Sequence, residues 1–153
     1  LMAGEYHVWK SMAGAIPLRL FARKSQRKHV DTQSWFKVTR AGLEFYPLQF
    51  GVPYPYGKYD QLLVPDLTGG AMENVAAVTF NERYAYRSKV TAEQRRQRDS
   101  VILHEMANMW FGNLVTMKWW NGLWLNESFA TFMATWAQDR ALKDKEAWKY
   151  FFS

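Results

Sequence analysis

Leu103-His-Glu-Met-Ala-Asn-Met-Trp-Phe-Gly-Asn-Leu-Val-Thr-Met-Lys-Trp-Trp120, running on into Leu123-Trp-Leu-Asn-Glu-Ser-Phe-Ala130, sets polar side chains inside two otherwise apolar segments. Residues 101–111 are apolar on every side except at His104, Glu105 and Asn108. At helical spacing His104 and Asn108 lie about 40° apart on one face, a turn from each other, with Glu105 about 100° round from His104. Two His at that spacing can grip one zinc ion through their imidazole nitrogens, while the Glu beside the first polarises the metal-bound water. Here the second His position is held by Asn108, so the strict H-E-x-x-H pattern is broken.

Taken singly, His104 reads as a core histidine bonded to a backbone carbonyl, and Glu127 as a surface carboxylate. Taken together they read differently. His104, Glu105 and Asn108 buried side by side without partners would cost on the order of several kcal/mol, so a metal, or the water network of a former metal site, is expected to satisfy them. Glu127 projects from a face otherwise made of Ala130, Thr131 and Ala134, which leaves room for its carboxylate to turn toward a neighbour.

Outward from this stretch, Thr91 with Gln94 three residues later fits a capping box, predicting a helix that runs to about residue 111. A second helix is expected over about 122–138, with Leu125, Phe129, Phe132, Met133 and Trp136 on one face, and a third over 145–152. Upstream, β-forming runs at 6–9 and 16–22 flank Ala13-Gly14 and predict a hairpin. A helix capped by Asp31 or Thr32 should follow to about Tyr46, with a stripe at Trp35, Val38, Gly42, Phe45 and Tyr46, and Pro47 should end or kink it. Strands are expected at 59–64 and 75–80. Strands first and long helices after give an α+β class: one partial domain, strand-rich over 1–90 and helical over 91–153.

The long stretch closely resembles the zinc-binding segment of the aminopeptidase N family, which carries H-E-x-x-H, eighteen residues and then Glu; eighteen residues beyond Asn108 comes Glu127. The family's G-A-M-E-N signature is also present, as Gly70-Ala-Met-Glu-Asn74. The resemblance implies the first half of a thermolysin-like catalytic domain, a small mixed sheet packed on active-site helices. It implies one zinc ion, with His104 and Glu127 as ligands and Asn108 as a replaced ligand, and Glu105 as general base. Glu73 would bind the free α-amino group of a peptide substrate, and Gly70 and Ala71 would offer backbone groups to it. An ammonium caught by a carboxylate at the closed end of a cleft sets the register of exopeptidase cleavage.

Two departures bear on activity. A complete structural zinc site is worth about 10–16 kcal/mol over four ligands, so losing one removes roughly 3–4 kcal/mol, two to three powers of ten in affinity. Asparagine oxygen suits hard cations better than zinc. The family also places a transition-state-stabilising tyrosine downstream of the third ligand, beyond Ser153. The chain alone is therefore expected to have little peptidase activity, and a catalytically inactive homologue that keeps the cleft as a peptide-binding surface is the alternative. An epoxide hydrolase of the same superfamily is disfavoured by the intact Gly70–Asn74 signature.

With 153 residues, 48% of them hydrophobic, the chain is long enough for one domain with a core. It carries no cysteine, so any metal must be held by His, Asp or Glu. The net charge of +6 gathers at Arg23, Lys24, Arg27 and Lys28 and at Arg95, Arg96 and Arg98, without the stacking aromatics of a nucleic-acid binder, so these read as solvated faces. No apolar run approaches the roughly 18 residues of a membrane span. The chain reads as a segment of a longer polypeptide whose remainder would pack on the aromatic helix faces; its compartment stays open, with the cytoplasm favoured.

Overall fold

Two β-rich runs fold back on each other where Gly14 supplies a left-handed turn residue, φ 55°. They form β1 (Tyr6–Ala13) and β2 (Ile16–Arg23), paired antiparallel from Tyr6 opposite Arg23 to Ala13 opposite Ile16. The computed structural model describes residues 2–152. β3 (Tyr59–Val64) lies parallel to β2, β5 (Ala77–Asn81) lies parallel to β3, and the two-residue β4 (Ala71–Met72) closes the edge antiparallel to β5. The order β1-β2-β3-β5-β4 makes the sheet mixed, and long helices cover it, as an α+β reading requires. The strand expected at 75–80 begins later, at Ala77, and Ala71–Met72 of the G-A-M-E-N segment supplies the edge strand.

α1 (Thr32–Phe50) crosses from β2 to β3, opened by Asp31, whose carboxylate accepts from the Ser34 N–H at 3.1 Å. Pro47 does not end it. The missing N–H costs one backbone bond, yet the helix runs one more turn to Phe50, whose ring stacks on Tyr46 at 5.3 Å and meets Trp110 and Phe111 at 5.4 and 5.0 Å. Aromatic burial at that last turn outweighs the proline. A buried relay ties α1 to the sheet: the Trp35 indole donates to Gln61 Oε1 at 2.8 Å, and Gln61 Nε2 donates to the Thr39 hydroxyl at 2.9 Å.

α2 (Ala92–Ala107) starts with the expected Thr91/Gln94 capping box. It packs against α1 where Gly42 has no side chain, because a Cβ there would sit 2.6 Å from Met106 Sδ and 2.9 Å from Leu103 Cδ2. The Tyr46 hydroxyl then donates to the Leu103 carbonyl at 2.9 Å. α2 stops four residues short of the expected end. Met109 and Trp110 bond back to Met106 and Ala107, three residues away, and Gly112 turns the chain at φ 134°.

α3 (Trp124–Arg140) packs on α2 through Ala130, Met133, Ala134 and Ala137, all buried. Of the expected face, Met133 is buried and Phe129 and Trp136 pack against the core, whereas Leu125 and Phe132 are exposed; the small residues Ala130, Ala134 and Ala137 let the two helices approach closely. The short α4 (Ala147–Phe151) lies against α3, where Trp148 and Phe151 meet Phe132 at 5.6 and 6.4 Å. No helix among the described residues is long and apolar enough to cross a membrane.

Candidate metal and peptide site

The close α2–α3 contact brings His104 and Glu127 together: Nε2 of the ring lies 3.4 Å from Glu127 Oε2. On the other side of the ring, Nδ1 lies 3.2 Å from the Thr131 hydroxyl. Burial lowers the His104 pKa below its usual 6.5, opposed by the charge of Glu127 and its side-chain hydrogen bond and then by the charge of Glu73. Glu105 points into the same region and is nearly fully buried. Its pKa is pushed up to about 8, chiefly by burial and then by the nearby Glu73 and Glu127 carboxylates.

Glu73 thus lies within electrostatic reach of both His104 and Glu105. Its backbone is fixed by Asn113, whose Nδ2 donates to the Glu73 carbonyl at 2.8 Å, so the turn after α2 locks the G-A-M-E-N segment in place. Ala71 sits on the edge strand β4, whose outer side has no neighbour in the sheet. The Gly70 carbonyl accepts from the Asn81 N–H at 2.8 Å and faces inward at that contact.

Asn108 is fully buried at the end of α2. Its Nδ2 donates to the Phe111 carbonyl at 3.0 Å, and its Oδ1 has no partner. The donors fit a cation at His104 Nε2 and Glu127 Oε2, whereas Asn108 could offer only its Oδ1, an oxygen that suits hard cations better than zinc. Among the described residues, no three His, Cys, Asp or Glu side chains gather as a metal site. The orphaned Oδ1 is an acceptor that a water would satisfy.

Two contributors were not singled out from sequence. Thr131 entered only as a small residue; its i−4 spacing to Glu127 is the signal that a hydroxyl would reach the site. Tyr59 entered only as the start of a strand. Its hydroxyl is buried without a partner, and its pKa is raised by burial first, with Glu105 among the nearby charges. A cavity of about 420 Å³ lies behind the site, between α2, α3 and α4, and Thr131 forms part of its wall.

Residues 35–153 match the Peptidase family M1 domain. Over 136 residues the chain is 48% identical to "Aminopeptidase N" of Streptomyces lividans, covering 86% of this chain and 16% of that protein. It is 41% identical over 116 residues to "Leucyl aminopeptidase" of Saccharolobus solfataricus, covering 75% of this chain and 15% of that protein. It is 44% identical over 108 residues to "Tricorn protease-interacting factor F2" of Thermoplasma acidophilum, covering 70% and 14%. The chain belongs to peptidase family M1, among the aminopeptidase N family of metallopeptidases. It spans 14–16% of the length of these relatives.

Proposed function

We propose that this chain is the catalytic segment of a zinc-dependent aminopeptidase that removes the N-terminal residue of peptides, impaired by Asn108. The observation that carries it is the approach of His104 Nε2 to Glu127 Oε2 at 3.4 Å, beside a carboxyl, Glu105, held at a pKa of about 8. A zinc ion held by His104 and Glu127 would acidify water and polarise the scissile carbonyl. Glu105 is the group placed to take the proton of the attacking water. Glu73 is placed to pair with the substrate's ammonium; that pairing neutralises one of the charges that raise the Glu105 pKa, so substrate binding favours the ionised base. The unpaired side of β4 at Ala71 offers main-chain groups to an extended peptide.

Asn108 favours a second reading, an inactive homologue that keeps the cleft, because a carboxamide oxygen is a poor replacement for an imidazole and two strong protein ligands hold zinc weakly. Chelator-sensitive release of N-terminal residues separates the two. In the full protein, Asn108→His is expected to raise this release by two or more powers of ten, and Glu105→Gln in that background to abolish it. Release that is the same before and after Asn108→His would refute the role assigned to position 108.

A further inference from the structure

The two basic stretches that read as solvated faces in the sequence meet in the fold. Lys28 and His29, at the end of the short 3-10 helix Lys24–His29, stand with Arg95 and Arg98 of α2 around a cavity of about 220 Å³. Tyr84 and Tyr86 form part of its walls, and Asp31 is the one acidic residue on them. The cavity is braced from two sides. Arg87 Nε donates to Gln26 Oε1 at 3.3 Å, and Arg98 Nη2 donates to Ser34 Oγ at 2.6 Å, so the segment after β2 and the starts of α1 and α2 are fastened together.

Elsewhere the cations are matched: Arg19, Arg23 and Arg96 each hold a carboxylate. Around this cavity they are not. Among the described residues the side chains of Lys28 and Arg95 make no hydrogen bond or ion pair, and Arg95 meets the charge of Asp99 through space alone. The Arg98 side chain is only 3% exposed; its Nε and Nη2 donate to Asp99 Oδ1 at 2.9 and 2.6 Å, while Nη1 has no acceptor among the described residues. Asp31 is engaged too, its carboxylate accepting from the Ser34 N–H at the head of α1. Asp99 and Asp31 each offset one of the charges of Lys28, Arg95 and Arg98, so a net positive charge remains. The N-terminal ends of α1 and α2, which begin beside the cavity at Asp31 and Val90, add to it.

We propose that this cavity binds a phosphate group, either the free ion or the head of a small phosphate ester, gripped by Lys28, Arg95 and Arg98 Nη1. Forked guanidinium groups suit the oxygens of a tetrahedral anion, and Lys28 adds a point charge. The volume calls for a small occupant, being below the roughly 300–1,000 Å³ of pockets for drug-sized ligands. The site is separate from the metal site, since Arg98 precedes His104 by six residues, about 9 Å along α2. A bound phosphate fastens the first turns of α2, the helix that carries His104 and Glu105, to residues 28–31.

Inorganic phosphate is the probe, in equilibrium dialysis against the full protein with ionic strength held constant by sodium chloride. The parent should bind one phosphate that the double variant Lys28→Gln with Arg95→Gln does not, and each single variant should weaken it by about 10-fold or more. Both side chains are exposed, so these changes leave the core intact. Phosphate should also slow amide hydrogen exchange at 28–31 and 90–95 in the parent and leave exchange in the double variant unchanged. Glycerol phosphate separates the two sources: binding tighter than that of inorganic phosphate marks an ester as the occupant, and equal or weaker binding marks the free ion, either of which upholds the site. Absence of bound phosphate against the chloride background, equal phosphate binding by parent and double variant, or exchange protection confined to other segments would overturn it.

Discussion

At the scale of single residues, Asn108 shows how one substitution changes a site's chemistry while the fold stays intact. The family pattern places a ligand there; this chain places a carboxamide that caps the end of α2 through Phe111. That capping was not legible in the sequence, because side-chain direction at a helix end depends on the turn that follows, here through Gly112. The approach of His104 to Glu127 was legible in part, since the room beside Glu127 and the resemblance both pointed to it, whereas the place of Glu73 was read from the resemblance alone. Asp60 carries a separate prediction. Burial would raise its pKa, but the ion pairs with Arg19, 2.7 Å from Nε to Oδ1, and with Lys58 outweigh that and hold it below its usual 3.8. A carboxylate with a depressed folded pKa stabilises the fold above about pH 4 and loses that contribution as pH falls through the folded value. Asp60→Asn should therefore lower the urea midpoint at pH 7, with the difference shrinking as pH is taken below the usual carboxylate range; a difference that stays constant with pH would show that the ion pairs are not the cause.

At the scale of elements, close helix approach is what builds the site. Gly42 was read as part of an apolar stripe, but the reason a glycine stands there appears only once α2 lies against it, with Met106 Sδ 2.6 Å from where a Cβ would be. Gly42→Ala gains helix propensity of about 0.5–1 kcal/mol and loses more to overpacking against two buried side chains. Its net effect should be a loss of about 1–2 kcal/mol by denaturant unfolding, and a stabilised variant would show that the α1–α2 contact is looser than described. Thr91→Ala, which removes the capping box, should cost about 1 kcal/mol without altering the site, as read from the same unfolding curves and an unchanged His104 NMR signal. The exposure of Leu125 and Phe132 on α3 has the same origin as Gly42. Hydrophobicity ranks Phe132 and Leu125 as core, but a tight helix pair selects Ala130, Ala134 and Ala137 for its seam.

At the scale of the whole molecule, the strand-then-helix order was enough for the α+β class, whereas the strand order β1-β2-β3-β5-β4 was not readable, because no local pattern says that β4 turns back to the edge. The turn between α2 and α3 leaves Trp119 and Trp120 at 72% and 74% exposure and Trp124 at 61%. Large apolar side chains exposed together favour association with another surface. The chain by itself should associate as concentration rises in sedimentation, and Trp119→Ser with Trp124→Ser should reduce that association; unchanged sedimentation in the double variant would place the sticky surface elsewhere.

The approach of His104 to Glu127 across α2 and α3 is tested most directly by zinc stoichiometry in the chain and in Asn108→His. One tightly held zinc in Asn108→His, at least two powers of ten tighter than in the parent and lost on adding His104→Ala or Glu127→Ala, is the predicted result. Failure of both the parent and Asn108→His to hold zinc, or zinc that survives loss of Glu127, would contradict it.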